Sequence, residues 1–436
     1  MLPSVLEDDG DEEVEEPLGG IRSRPPSRPR NIYSRGSVDS QIVTRPGVRE
    51  QGPKKSTEGG GEKNEKQDEG VGSTDVFDRR DEDRESGPVD EDYDTELEPE
   101  DEKEQYDPTG LARYREACRA LNVVPASYFI RNVHSTELSM VHHGLGPQGT
   151  KALAVPLVTN TSILRLNLRD NWMEGGGGVA VADMLKENCY ITEIDLSENG
   201  LGESGVKALA SMLLENTTLV SLNLSGNQLD ERAAKHLAQA LSTNQNLQHL
   251  DLSQNRLGDA AGELLGAALA ENTGMKSLNL AWNCIRGKGA VALAQGLGAN
   301  IFLQKVYLSY NGLGKDGAAA LGDALKENNT MEELDISINQ IPPEGAVHLA
   351  VGLKVNKTIR ILKMSRNPIQ TAGCFAVLKA VQGNQSSAME YLDFSEISVD
   401  QEFEDLFNSI KETIPNFQVK HGGKIRTLKT DINHAG

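Results

Sequence analysis

A chain of 436 residues with a net charge of −21 and only 8 His and 4 Cys is long enough for a large body, and it is not a disulfide-stapled or metal-rich module. The acidity is local: residues 1–107 hold 15 Lys and Arg against 32 Asp and Glu, and the remainder holds 29 against 33. No eighteen apolar residues run together. The start, Met1 to Leu6 and then an acidic run, lacks the charged and apolar regions of a signal peptide. With four separated cysteines and no CxxC, the expectation is a soluble cytoplasmic protein with buried thiols and no membrane partner.

Residues 1–106 combine few large apolar side chains with Gly, Pro, Ser and charge in blocks, acidic, then basic, then acidic. Such a segment is expected to be a disordered tail. Its Arg- and Pro-rich stretch at residues 22–30 carries short patterns of an import signal, a kinase site or a PxxP ligand, all of which also suit a solvated linker. From residue 107 to 137 the reading is a helical cap: Leu111, Tyr114, Cys118 and Leu121 recur at helical spacing, Pro125 ends the segment, and Tyr128, Phe129 and Ile130 pack under the first strand.

Residues 138–398 are built on one motif, Leu-x-Leu-x-x-Asn, seen at Leu222 to Asn227. Its Asn returns every 28 residues at Asn171, Asn199, Asn227, Asn255, Asn283, Asn311, Asn339 and Asn367. A fixed period of this length means stacked units, not one globular core. The first unit has His143 in the Asn place, and the last, Leu392 to Ile397, arrives two residues late with Ile397 there. Each unit reads as a short strand with inward Leu residues and then a helix with apolar columns such as Leu209 and Leu213. A small-residue column (Ala154, Ala182, Ala210, Ala238, Gly266, Ala294, Gly322, Ala350) lets each helix lie close to the next. Strands stack about 4.8 Å apart and helices need about 8 to 10 Å, so the body must curve. The fold class is α/β, a right-handed horseshoe with a parallel sheet on its concave face. The ladder Asn is structural and bonds backbone of the adjoining turn. Phe403, Leu406, Phe407 and Ile410 make a C-terminal cap within 399–421, and 422–436 read as a tail.

No phosphate-binding, HExxH or GxSxG motif occurs, so no cofactor, no metal and no enzymatic activity are expected. His134, His142 and His143 read as surface or ladder histidines. Gly175 to Gly178 read as a permissive turn, with a backbone anion cradle as the alternative. The column before each ladder Asn places Trp282, Tyr310 and Ile338 on adjacent strands, with Tyr307 on the same sheet. They form the candidate partner-binding patch, the alternative being that the Trp282 ring folds over the Asn turn. Arg165, Arg169, Asp170, Glu193, Asp195 and Glu198 form a mixed charged region toward the N-terminal end.

The pattern Leu-x-x-Leu-x-Leu-x-x-Asn with a helix in 28 residues resembles the ribonuclease-inhibitor-like class of leucine-rich repeats. Residues 117–129 (Ala-Cys-Arg-Ala-Leu-Asn-Val-Val-Pro-Ala-Ser-Tyr-Phe), 143–149 (His-Gly-Leu-Gly-Pro-Gln-Gly) and Ser365-Arg366-Asn367-Pro368 resemble the leucine-rich repeat-containing protein 74 family. The resemblance implies a non-enzymatic repeat protein that binds. The expectation is a monomeric protein-interaction scaffold with a protein partner and no nucleic acid. Two alternatives are a GTPase-activating protein resembling the Ran activator, whose acidic tail comes after its repeats whereas here it precedes them, and an innate-immune regulatory repeat protein.

Overall fold

The computed structural model describes residue 107 and residues 109–425. The charged blocks of residues 1–106, the 22–30 stretch and residues 426–436 lie outside the described residues. Helices α1 (Leu111–Ala120) and α2 (Ser127–Asn132) come first. Tyr114 and Phe129 meet edge-on with centroids 4.8 Å apart, and the Ala126 amide donates to the Tyr114 hydroxyl at 2.8 Å. Burial pushes the Tyr114 phenol up to about 12. Tyr128 stays exposed, its ring tilted against His143.

Strand and helix then alternate: β1 (Glu137–Ser139), α3 (Gly146–Leu157), β2 (Arg165–Asn167), α4 (Glu174–Glu187), β3 (Glu193–Asp195), α5 (Gly202–Leu213), β4 (Ser221–Asn223) and α6 (Glu231–Leu241). The series continues with β5 (His249–Asp251), α7 (Asp259–Glu271), β6 (Ser277–Asn279), α8 (Gly287–Ala299), β7 (Lys305–Tyr307) and α9 (Gly314–Glu327). It closes with β8 (Glu333–Asp335), α10 (Pro343–Leu353), β9 (Ile361–Lys363), α11 (Gln370–Gly383), β10 (Tyr391–Phe394), α12 (Gln401–Thr413) and β11 (Gln418–His421). All eleven strands form one parallel sheet in chain order, and from β1 to β9 the register steps by the same Leu-facing position, as in Leu222 opposite Leu250. In the three-residue strands β1 to β9 the middle residue points inward and is buried, while its two neighbours remain open on the other face. Beyond α12, β11 pairs with β10. The chain stays bonded past the expected tail boundary: the Gly422 amide donates to Ile397 and the Ile425 amide to Val399, both at 2.8 Å.

Two rows of buried Asn hold the units together. The side-chain amide of Asn255 donates to the carbonyls of Leu224, Leu252 and Ser253, and its oxygen accepts the amides of Asn227 and Leu229. At the other corner a second row, Asn160, Asn188, Asn216, Asn244, Asn272, Asn300, Asn328, Asn356 and Asn384, repeats at the same interval and is buried throughout. Asn300 there donates to the Leu269 and Asn272 carbonyls and accepts the amides of Phe302 and Leu303. Each amide thus satisfies backbone groups that would otherwise be buried without partners.

The small column sits where consecutive helices meet. A Cβ on Gly266 would lie 3.0 Å from the Leu293 Cα, and one on Gly322 3.0 Å from the Leu349 Cα. The four glycines 175–178 do not form a turn. They lie inside α4, and a Cβ on Gly178 would approach the Gly205 Cα of α5 at 3.0 Å, so they serve close helix packing. The expectation of buried thiols holds for half of the cysteines: Cys118 and Cys374 are buried, Cys189 and Cys284 exposed. Cys189 falls in the turn between α4 and β3, and Cys284 in the turn between β6 and α8.

Candidate functional site

The column before each ladder Asn is not on the strands. Trp282, Tyr310 and Ile338 stand three residues beyond the ends of β6, β7 and β8, in the turn that leaves the sheet. There every member of the column has positive φ, including Trp282 at 57°, Tyr310 at 57° and Ile338 at 55°. The left-handed conformation arises because the ladder Asn must turn back beneath the strand end, which periodicity along the chain does not register. A side chain costs about 1 to 2 kcal/mol in that region, and for a β-branched residue it is an outlier. Gly226, in the same column, is the residue that meets the requirement without strain.

At these strained positions the Trp282 and Tyr310 rings stack in parallel, centroids 3.4 Å apart and 13° between planes. Trp282 is 51% exposed; it lies on its neighbour instead of folding over the Asn turn. Ile338 is half-buried beside them. Tyr307 belongs to the sheet and is tied down: its hydroxyl donates to Glu333 at 3.1 Å, Lys363 pairs with Glu333 at 2.7 Å, and the Lys363 ammonium lies 5.8 Å from the ring centre. Burial, reinforced by Glu333, pushes the Tyr307 phenol up to about 12.

Tyr307 and Lys363 also interrupt a structural column. At the equivalent third strand position Asn167, Asp195, Asn223, Asp251, Asn279, Asp335 and Asp393 each accept the amide two residues on. That side chain-to-backbone bond stabilises the exit from the strand. Units seven and nine have given it up for a ring and a cation.

In the charged region at the N-terminal end both arginines are engaged by carboxylates, while Glu193 and Asp195 pair with no cation among the described residues. Arg165 pairs with Glu137, Arg169 with Glu198 at 2.6 Å, and His142 with Asp170 at 2.5 Å. A second exposed ring, Trp172, is not among the candidates that periodicity singles out. It is 75% exposed at φ 56° and donates to Asp170 at 3.2 Å. Its signal is nonetheless in the sequence: it stands after ladder Asn171 where other units carry Gly144, Gly200 or Gly312. A groove of about 850 Å³ lies apart from these rings, near Pro368, Phe375 and Ile425. Part of its polar lining is engaged in the turns around α11 and α12: the Thr371 hydroxyl donates to the Ser398 carbonyl and the Asp400 carboxylate accepts the Phe403 amide.

A parallel sheet with one helix per strand, internally repeated and bonded by buried Asn rows, defines the class as a βα solenoid of leucine-rich type. A model described as Leucine Rich repeat matches eight successive segments, at residues 159–182, 187–210, 215–238, 243–266, 271–294, 299–322, 327–350 and 355–378. The chain belongs to the leucine-rich repeat family. Human leucine-rich repeat-containing protein 74B is 48% identical over 50 residues, 12% of this chain and 13% of that protein, and the mouse protein of that name is 48% identical over 52 residues with the same coverage. The matched stretch therefore spans about an eighth of those relatives. A solved structure of leiomodin-1 actin-binding site 2 aligns at 19% identity with a TM-score of 0.30, covering 40% of this chain and 95% of that one.

Proposed function

We propose that this protein is a non-enzymatic scaffold that grips a protein partner at the edge of its concave sheet through Trp282, Tyr310, Ile338 and Tyr307. The observation that carries the reading is the Trp282–Tyr310 stack: two large rings, one half-exposed, at backbone positions where glycine is cheapest. Rings held at a cost to folding, and not covered by the core, have the character of interface hot spots. Truncating such a ring typically costs about 2 kcal/mol or more of binding. The scaffold acts as a monomer, with no nucleic acid and no membrane among its partners; no helix among the described residues is long and apolar enough to cross a membrane.

A cytoplasmic location is supported by the second Asn row. Asn160, Asn216, Asn328, Asn356 and Asn384 each begin an Asn-x-Ser/Thr acceptor sequence, yet each is at most 8% exposed and donates to backbone carbonyls, as Asn328 does to Leu297 and Asn300. A glycan at any of them would break the row. The fold suits a compartment without that modification, and the exposed thiols of Cys189 and Cys284 suit a reducing one.

The test is affinity capture with Trp282→Ala combined with Tyr310→Ala. Partners held by the wild type are expected to be lost while circular dichroism and melting stay near wild type. If the double variant retains every partner, the rings are not the site; if it unfolds, they belong to the core.

A further inference from the structure

The charges around the stacked rings differ from those elsewhere on the inner face. Five cations there, Arg165, Arg169, Arg360, Lys363 and Arg366, each pair with a carboxylate. Six cations fall in the two units that carry the Trp282–Tyr310 stack and the unit before them: Lys276 and Lys305 at the strand starts, Arg256 and Arg286 in the turns, and Lys288 and Lys315 in the first turns of α8 and α9. All six are exposed, and among the described residues none has a carboxylate oxygen within 4.0 Å. The acids at the strands, turns and helix starts of these units are Asp251, Asp259 and Asp316, three against six cations. Asp259 accepts the Arg286 backbone amide and Asp251 accepts from Asn279 and Ser253, contacts with neutral donors that leave both carboxylates charged. An excess of positive charge at this place, in a chain of net charge −21, stands out from its surroundings.

We infer that the stacked rings and their six unpaired cations form a site for an acidic protein segment, with an apolar side chain seated on the Trp282 face and carboxylates reaching the cations on both sides. The inference rests on the proposed scaffold function and specifies its partner's chemistry. Opposite charge around a desolvated aromatic centre supplies orientation and association rate, and the centre supplies the affinity. A longer polyanion such as single-stranded nucleic acid also fits rings among cations. It is disfavoured because the turns toward the N-terminus carry Glu198, Glu203, Asp230 and Glu231, which repel a backbone running on from the patch. A short segment avoids them, since screening confines the repulsion to about 8 Å at physiological salt.

The test uses the full chain and a labelled peptide of about 6 Glu and Asp residues around one central Phe, about 20 Å long at about 3.3 Å per residue. Binding is expected to weaken as salt rises. It should fall at least about tenfold in Lys276→Glu with Lys305→Glu and Arg286→Glu, and equally in Trp282→Ala, with circular dichroism and melting unchanged; an all-lysine counterpart should not bind. Should the charge reversal perturb folding, the milder Lys276→Gln with Lys305→Gln carries the same comparison. Absence of peptide binding, alongside partner loss in the Trp282→Ala, Tyr310→Ala double variant, overturns the acidic assignment and leaves the scaffold function standing. Tighter binding of an oligothymidine than of the peptide overturns the choice of a protein segment. Peptide binding that survives Trp282→Ala overturns the role of the ring.

Discussion

Replacing Asn255 by Ala removes five hydrogen bonds at one buried side chain. The residue is 7% exposed, and its oxygen accepts the amides of Asn227 at 2.9 Å and Leu229 at 3.1 Å. Two amides left without partners cost about 1 to 3 kcal/mol each, so the expected loss is about 2 to 6 kcal/mol. The neighbouring Gln254 is exposed at φ 56°, and Gln254→Ala should stay within about 0.5 kcal/mol of wild type. Asn255→Asp keeps both acceptors but turns a carboxylate toward the carbonyls of Leu224, Leu252 and Ser253. At neutral pH it should destabilise more than Ala and recover part of the loss on acidification, as the buried carboxylate takes up a proton. Denaturant midpoints give the order, and hydrogen exchange at the Asn227 and Leu229 amides gives the location. Equal effects at 254 and 255, or unchanged exchange at those two amides, would refute the assignment of the Asn to the unit-to-unit bond.

Leu280→Ala, at a fully buried position between β6 and Trp282, should lower stability by about 2 to 5 kcal/mol through its cavity, measured by chemical denaturation. Gly266→Ala should destabilise by about 1 to 3 kcal/mol through overpacking against α8, whereas Gly383→Ala, with open space at its Cβ, should be near neutral by the same assay. Asp107 caps the start of α1: its carboxylate accepts the Ala112 amide at 2.6 Å, and these bonds hold its pKa down, at about 2 from 3.8. Because the folded value is the lower one, the contribution is present above about pH 4 and lost as pH falls toward 2. Asp107→Asn should flatten that acid limb in a circular dichroism titration. A maleimide should label Cys189 and Cys284 in the native protein and spare Cys118 and Cys374 until denaturant is added; burial pushes the Cys374 thiol up to about 12.

The repeat by itself determines the architecture. Leu residues at alternate positions, an Asn every 28 residues and a small-residue column suffice for a strand, a turn, a helix and close stacking, because each depends on chemistry inside one unit. The second Asn row was equally legible, with nine members at one interval, but Asn at a helix end reads locally as an ordinary loop residue. Only the tertiary structure decided what lies between units. The left-handed turn at Trp282 lies between Leu280 and Ile285, whose carbonyl and amide are both bonded by the Asn311 side chain of the adjoining unit, so neither its sign of φ nor its place beyond the strand comes from alternation. The ring stack joins residues 28 apart, and the pairing of Arg165, Arg169 and Lys363, against the free state of Lys276 and Lys305, depends on which side chains face one another across neighbouring strands. Periodicity fixes the column a residue occupies; the contacts across columns, where charge and aromatic surface acquire their meaning, come from the packing of one unit on the next.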